Sequence, residues 1–353
     1  MTKQMPFSSD IPMIVDFETP GLVSSLYFKK DSSLFTPLDD EFIEVETCAI
    51  GLNWKDIAVS TGRIDMDFFS SECSGIVTQC GKKVHSLRPG DRVYCLAWGK
   101  FDMASVPMTF CTAVYALKHL ARLRNGDTIL IQSATGGVGL VAIQIAQSVS
   151  AEIFTTVGTE NKVQYLVKTC HIQRERIFSS RDLKDIARLK AAVSGRGFDV
   201  ILSSSNGDML HETCRLIAAR GRFVDVGRVD VQNHSTLAME MFSRNASFSS
   251  FDLSSMVFQD PQFCSELFEE VGTLFCQGAI RPIPQITVFD VSDLDQALLY
   301  FSRGQHIGKI VVTYENKNSM VKMIPPPPQA RFDHDAEYVI AGGLGGLGRC
   351  ILQ

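Results

Sequence analysis

From Ser133 to Ala146 the chain reads SATGGVGLVAIQIA, with Gly137, Gly139 and Ala142 at the spacing GxGxxA. That spacing suits one piece of chemistry, the gripping of a dinucleotide's diphosphate by main-chain amides at the start of a helix. In this reading Gly137 permits the tight turn, Gly139 lets the backbone approach the diphosphate, and Ala142 keeps the helix close to the sheet. Ala134, Thr135, Gly136, Gly137, Val138 and Gly139 make up the candidate phosphate loop. A glycine turn that only packs a helix is the plainer alternative. The context argues against it: a buried strand precedes the turn, an amphipathic helix follows, and another strand lies beyond.

The end of that next strand indicates which dinucleotide. An NAD-selective site places an acid there to hold the ribose hydroxyls. Here TTVGTENK supplies Gly158 and Thr159, with Lys162 one helical turn on. Glu160 is expected in the first turn of the helix, where a negative charge suits the dipole. A hydroxyl and an ammonium favour a 2′-phosphate, hence NADPH, and Arg181 in FSSRD is a second cation for it. For Lys162 and Arg181 alike, the alternative is a solvated surface charge.

Such residues need a frame, and the rest of the chain supplies one. Up to about Phe101 the pattern is short strands and turns: FIEVETCAIGL alternates like a half-buried strand, ECSGIVTQCG ends in a glycine turn, and LRPGDRVYCLA sets a Pro-Gly turn before another strand. A small β-barrel or sandwich is the expected result. From about Met103 apolar residues recur at helical spacing in SVPMTFCTAVYALKHLARL, and Thr128 to Ser133 has the character of a buried strand. Strand and helix then alternate through EIFTTV, ENKVQYLVKTC, RIFSS, LKDIARLKAAV, FDVILSSS, MLHETCRLIAA and GRFVDVG. This is the signature of an α/β, doubly wound parallel sheet. After RPIPQITVFDV, a short helix in DLDQALLYFSRG leads to a last strand, KIVVTYE, and MIPPPPQARFDHD is a stiff proline-rich linker.

The 353 residues suffice for two cored domains, and 45% apolar with 21% charged residues is an ordinary globular composition. A formal charge of -5 gives no electrostatic reason to expect nucleic acid or an anionic membrane as partner. There is no apolar run long enough for a signal peptide or a membrane span, so a cytoplasmic protein is expected. The ten cysteines form no CxxC pair and sit mostly in apolar runs, as reduced core cysteines do. Neither a disulfide framework nor a metal site is expected.

GLNWKDI, ECSGIV, LRPGDRVY, MASVPMTFCTAVYAL, SATGGVGLVAIQIA, TTVGTENK, FSSRDL and GRFVDVGRVDVQNHS together resemble the enoyl reductase domain of fungal highly reducing polyketide synthases, a zinc-free branch of the medium-chain dehydrogenase/reductases. The resemblance runs from about Ile11 to Glu315. It implies a GroES-like β-barrel (11–103), a Rossmann-type NADPH-binding domain (104–285) and a return to the barrel (286–315). A linker (316–335) follows. YVIAGGLGGLGR in 336–353 is similar to the first strand and glycine turn of the ketoreductase domain that comes next in such synthases, so the chain is expected to be a slice of a multidomain enzyme. The implied reaction is hydride delivery from NADPH to the β-carbon of an α,β-unsaturated thioester on an acyl carrier protein, then protonation at the α-carbon. Other synthase domains and a homodimer are the further partners implied.

The resemblance also nominates residues. Asn53 stands where zinc-dependent relatives carry a cysteine ligand, and Asn53 with Asp56 is expected to shape the loop above the nicotinamide; a turn-forming Asx pair is the alternative. Ser204, with Ser203, lies where the family lines the nicotinamide, and Gly227 precedes the next loop. Arg228 replaces a lysine that is a candidate proton donor acting with an aspartate, which Asp252 matches. Arginine holds its proton too tightly to be a good general acid near neutral pH. Arg228 is therefore expected to bind an enolate oxygen or to hold Asp252, and a purely structural Arg228–Asp252 pair is the alternative. Trp54 removes a phenolic donor found in some related reductases. Finally, the family carries roughly two dozen more residues at the Phe101–Asp102 junction, a loss expected to weaken the barrel. Two other readings therefore stay open: a catalytically silent remnant, and a free-standing quinone reductase of the same fold.

Overall fold

The computed structural model describes residues 2–7, 13–19, 21–30, 37–63, 72–96, 107–182 and 184–324. The chain opens with strands β1 (Lys3–Pro6), β2 (Met13–Phe17), β3 (Leu26–Lys30) and β4 (Ile43–Gly51). Helix α1 (Trp54–Ser60) precedes β5 (Glu72–Cys80) and β6 (Arg92–Leu96). Helix α2 (Pro107–Val114) runs on into a π-helical turn over Tyr115–Leu120. The alternating stretch is β7 (Thr128–Ile131), α3 (Gly137–Ser148), β8 (Glu152–Val157), α4 (Glu160–Thr169), β9 (Ile177–Ser179) and α5 (Lys184–Ala192). It continues with β10 (Phe198–Ser203), α6 (Gly207–Cys214), β11 (Ile217–Asp225), α7 (Val229–Gln232) and β12 (Ser247–Ser250). Helices α8 (Leu253–Gln259) and α9 (Pro261–Cys276) close it. β13 (Ile286–Asp290), α10 (Leu294–Ser302), β14 (Lys309–Thr313) and β15 (Met320–Met323) complete the described chain.

Strands β7 to β12 form one parallel sheet in the order β12-β11-β10-β7-β8-β9. This is the doubly wound order, with its reversal between β7 and β10; ligands of such sheets lie beyond the carboxyl ends of the strands at that point. Both faces are covered, so the strands are apolar on both sides: Ile129, Leu130, Ile131, Val200 and Ile201 are all fully buried. α3 is buried along most of its length through Leu140, Val141, Ala142, Ile143, Ile145 and Ala146. α4 buries only Val163 and Leu166, one turn apart, and leaves its charged face to solvent.

The remaining strands make two sheets, β13-β14-β4-β5-β6 and β1-β15-β3-β2. They share a core of Phe28, Ile50, Leu52, Ile57, Leu294, Leu298, Ile310, Val312 and Val321, drawn from both ends of the chain. β13, α10 and β14, which follow the parallel sheet in the chain, thus pack with the strands that precede it. Two boundaries differ from the sequence reading. Met320–Met323, placed in the linker by its neighbourhood of prolines, is a strand that pairs antiparallel with β1 and parallel with β3. The barrel accordingly begins at Lys3 and not near Ile11. The helix read across MLHETCRLIAA ends at Cys214, and Ile217 already pairs with Phe198 in the sheet. Gly197, at φ +89°, explains the switch: a Cβ there would lie 2.7 Å from the Leu216 carbonyl, so the two backbones close up into strand pairing. The Phe101–Asp102 junction, the proline run from Pro325 and the glycine turn at 342–348 lie outside the described residues.

Candidate active site

At the reversal point the carboxyl ends of β7 and β10 are stitched together by side chains. Ser204 Oγ donates to Ser133 Oγ at 2.8 Å, Ser203 Oγ donates to Gln132 Oε1 at 2.9 Å, and the other end of Gln132 reaches Thr213 at 3.0 Å. Ser133, not a glycine, takes the left-handed conformation of the turn, at φ 51°. Gly136 then caps α3 with extended backbone, and the first amide taken up within the helix is that of Leu140, by Gly136 O at 2.9 Å. The Gly137, Val138 and Gly139 amides precede it, where a helix leaves its N–H groups to an outside acceptor. Gly136, Gly137 and Val138 are half-buried at this edge and Gly139 is buried.

The glycines do their work differently from expectation. Gly137 does not adopt a left-handed turn; a Cβ on it would sit 2.8 Å from Thr109 Cγ2, so α2 is what excludes a side chain. A Cβ on Gly139 would come within 2.7 Å of Ala134 Cα, C and O. Its bareness therefore lets the helix close on its own turn. Ala134 and Thr135 are both buried beneath the loop, Ala134 N–H donating to Thr156 O at 3.2 Å.

At the end of β8 three of the nominated groups converge. Arg181 lies over Gly158, where a Cβ would be 3.0 Å from the guanidinium Nε and 3.4 Å from Cζ. Lys162 donates to Gly304 O at 2.8 Å, and its ammonium is held below the usual lysine value by burial and then by the Arg181 charge. Thr159 caps α4 with extended backbone and makes no side-chain capping bond. Glu160 occupies the first helical turn and pairs outward with Arg174 at 3.6 Å. Among the described residues Glu160 is thus turned toward Arg174 and away from Lys162 and Arg181 at the end of β8.

On the opposite side, Asp225 organises the loop after β11. Its buried carboxylate accepts from Gly227 N at 3.2 Å and Arg228 N at 3.0 Å; burial raises its pKa against the pull of those amides. Gly227 packs on the Ser204 backbone, 3.1 Å from where its Cβ would be. Arg228 adopts φ 59°, and its guanidinium Nε is buried without a hydrogen-bond partner. The expected Arg228–Asp252 pair does not form. Asp252 caps α8 by accepting from Ser254 N at 3.0 Å, and the lysine its charge acts on is Lys55, from α1 of the barrel. Burial pulls the Lys55 ammonium down to about 8, against the favourable charges of Asp252 and Asp56.

Asn53 and Asp56 bond to each other across the first turn of α1. Asn53 is the N-cap of α1 and the buried Asp56, three residues on, reaches back to accept from Asn53 N at 2.6 Å, so the two form a capping box. The Asn53 side chain also reaches across to the strands, donating to Glu72 Oε1 at 2.8 Å and accepting from Lys309 Nζ at 2.6 Å. Glu72, Lys309, Gln132, Ser133 and Lys55 were all missed in the sequence. A carboxylate opening the apolar strand ECSGIV and a lysine opening KIVVT were the available signals for two of them. Among the described residues no group of three His, Cys, Asp or Glu side chains is placed to hold a metal ion.

The profile of the alcohol dehydrogenase GroES-like domain matches residues 39–138, and that of the zinc-binding dehydrogenases matches 174–312. The chain is 44% identical over 372 aligned positions to prosolanapyrone synthase of Alternaria solani, covering 99% of this chain and 14% of that protein. It is 42% identical over 372 positions to the highly reducing polyketide synthase xilA of Penicillium crustosum, with 99% and 15% covered. The chain thus spans 14–15% of the length of these relatives. Among solved structures it is similar to the CurK enoyl reductase, at TM-score 0.74 and 28% identity over 86% of this chain and 99% of that one. The Escherichia coli quinone oxidoreductase complexed with NADPH shares the fold at TM-score 0.70 and 21% identity, over 85% and 99%. Taken with the doubly wound sheet and its glycine turn, these likenesses show that the chain belongs to the enoyl reductases of the medium-chain dehydrogenase/reductase superfamily, of the kind carried by fungal highly reducing polyketide synthases.

Proposed function

We propose that this chain is the NADPH-dependent enoyl reductase region of a fungal-type reducing polyketide synthase, saturating an α,β-unsaturated thioester held on an acyl carrier protein. The observation that carries the coenzyme assignment is the pair of cations at the end of β8. Arg181 over Gly158, with the half-desolvated Lys162 beside it, suits a 2′-phosphate and leaves a plain ribose without an acid to bind. Bound NADPH supplies a hydride to the β-carbon of the enoyl group. The chain's own part is to hold the diphosphate edge with the amides of Gly137 to Gly139, and to line the nicotinamide end with Ser204 and Gly227. Arg228 offers a fixed positive charge to an oxygen that becomes negative. Its proton is held too tightly to be given up. Lys55 Nζ, opposite Asp252 and brought to about 8, is the group able to release a proton to the α-carbon near neutral pH. Partner domains of the same synthase, a homodimer and a cytoplasmic setting belong to this reading.

The test is NADPH oxidation by the purified chain with a crotonyl or longer enoyl thioester. Tight NADPH binding without turnover would reject the enzyme and leave the fold untouched. That result would favour the second reading, a silent remnant. The specific observation behind it is that the relatives align over 372 positions with a chain of 353 residues, so they carry residues this one lacks. Transcript reads across the codons for Phe101 and Asp102 distinguish a true loss there from a wrongly removed segment. A free-standing quinone reductase shares only the fold, and no residue at the candidate site favours it.

A further inference from the structure

Two ionisable side chains at the domain junction are almost wholly buried, Glu72 at 0% and Lys309 at 2% exposure, and neither belongs to the nucleotide turn. Burying a charge is costly unless it is paired and hydrogen-bonded. Here both conditions are met across four separate segments. Lys309, opening β14, forms an ion pair with Glu72 Oε1, at the start of β5, and donates to Asn53 Oδ1 at 2.6 Å. Asn53, capping α1, donates to Glu72 Oε1 at 2.8 Å and to Gly51 O at 3.2 Å. Glu72 Oε2 accepts the Met108 amide, in the first turn of α2, at 2.8 Å.

The same point joins the barrel to the phosphate loop. Gly308 N–H donates to Thr135 O at 2.8 Å and forms an isolated parallel bridge with Gly136. The Lys309 stem runs beside Gly137, its Cδ 3.7 Å from where a Cβ would be. A buried ion pair adds little net stability over an apolar replacement of equal volume. What it adds is register, because only one placement of the four segments satisfies every partner.

We propose that Lys309 is a positioning residue. With Glu72 and Asn53 it locks the barrel against the glycine turn in one register, and so sets the gap between the substrate wall and the coenzyme. The kinetic consequence rests on the reductase reading above, whereas the lock itself does not. Displacements of about 1 Å between reacting groups cost roughly 100-fold in rate.

Lys309→Met alone strands the Glu72 carboxylate, so the double variant Lys309→Met/Glu72→Gln carries the test in the full chain. Amide exchange of the coenzyme-free protein at Gly308 should accelerate at least tenfold, while β7 and β10 amides keep their protection. The single-turnover hydride step should fall about 100-fold, with KM for NADPH moving less than threefold. Gly308 exchange as slow as in the unaltered chain refutes the lock. A double variant that transfers hydride at full rate also refutes it, reducing the triad to structural filling. If the unaltered chain transfers no hydride, the reductase reading fails, and the exchange at Gly308 still decides the lock.

Discussion

Removing Arg181 should separate the two nicotinamide coenzymes. Its guanidinium lies over Gly158, and its backbone amide bonds Ser179 Oγ at 3.2 Å through an atom that Arg181→Ala retains. The fold should therefore survive the change. A charge-assisted hydrogen bond is worth about 1.5–3 kcal/mol, and the lower part of that range applies to an exposed group. Arg181→Ala should thus weaken NADPH by roughly 10- to 30-fold, since about 1.4 kcal/mol is tenfold in Kd. Lys162 is more deeply placed, and its ammonium is already disfavoured by burial and by the Arg181 charge. A bound phosphate relieves both, so Lys162→Ala should cost more, nearer 100-fold at about 2.5–3 kcal/mol. NADH has no 2′-phosphate and should move less than twofold in either variant. Gly158→Asp, at a position of ordinary backbone φ, should weaken NADPH again by setting a carboxylate against the phosphate. Fluorescence titration of both coenzymes at fixed ionic strength measures these affinities. Equal losses for NADPH and NADH, or equal affinity of the unaltered chain for the two, would refute the assignment of these cations.

Lys55 sets a pH dependence: burial brings its ammonium down to about 8 against the opposing pull of the Asp252 and Asp56 carboxylates, so turnover should fall as pH rises through about 8. In Lys55→Met that alkaline limb should vanish and the rate drop by about 10²–10⁴; an unchanged limb removes Lys55 as donor. His306 has its pKa lowered to about 4 by burial and by Lys162 and Lys309, whereas an unfolded histidine titrates near the ordinary 6.5. A depressed value means the unfolded chain binds the proton first, so this contribution is complete above about 6.5 and is lost as pH falls toward 4. It amounts to roughly 3 kcal/mol at most; urea melts of His306→Gln should lack that part of the acid slope. Gly139→Ala should cost about 1–3 kcal/mol, because the added carbon meets only Ala134 backbone and no rotamer can relieve it. An unaltered urea midpoint would contradict the close packing.

Periodicity made the architecture legible. Alternating runs such as EIFTTV and ENKVQYLVKTC became β8 and α4, because each element's side-chain period is local chemistry. The strand-turn-helix context of the glycine turn, and the meeting of Lys162 with Arg181 beyond β8 and β9, follow from the same regular alternation. Less legible were features made by the way the backbone closes on itself or by partners distant in sequence. Gly139 was assigned to phosphate access, and its restriction comes from Ala134 behind it. MVKM looked like linker until β1 supplied its pairing partner from the other end of the chain. Arg228 and Asp252 were matched by family position, but the loop that Asp225 pins after β11 leaves no ion pair between them.

By itself, then, the sequence determined a barrel and a doubly wound sheet with a dinucleotide turn, because binary patterning and turn residues act over a few neighbours. Only the tertiary structure decided that Asn53, Glu72 and Lys309 meet, across a separation of 256 residues between the outer two. No local rule brings them together. A buried charge must find its counter-charge wherever the packing of two domains happens to place it.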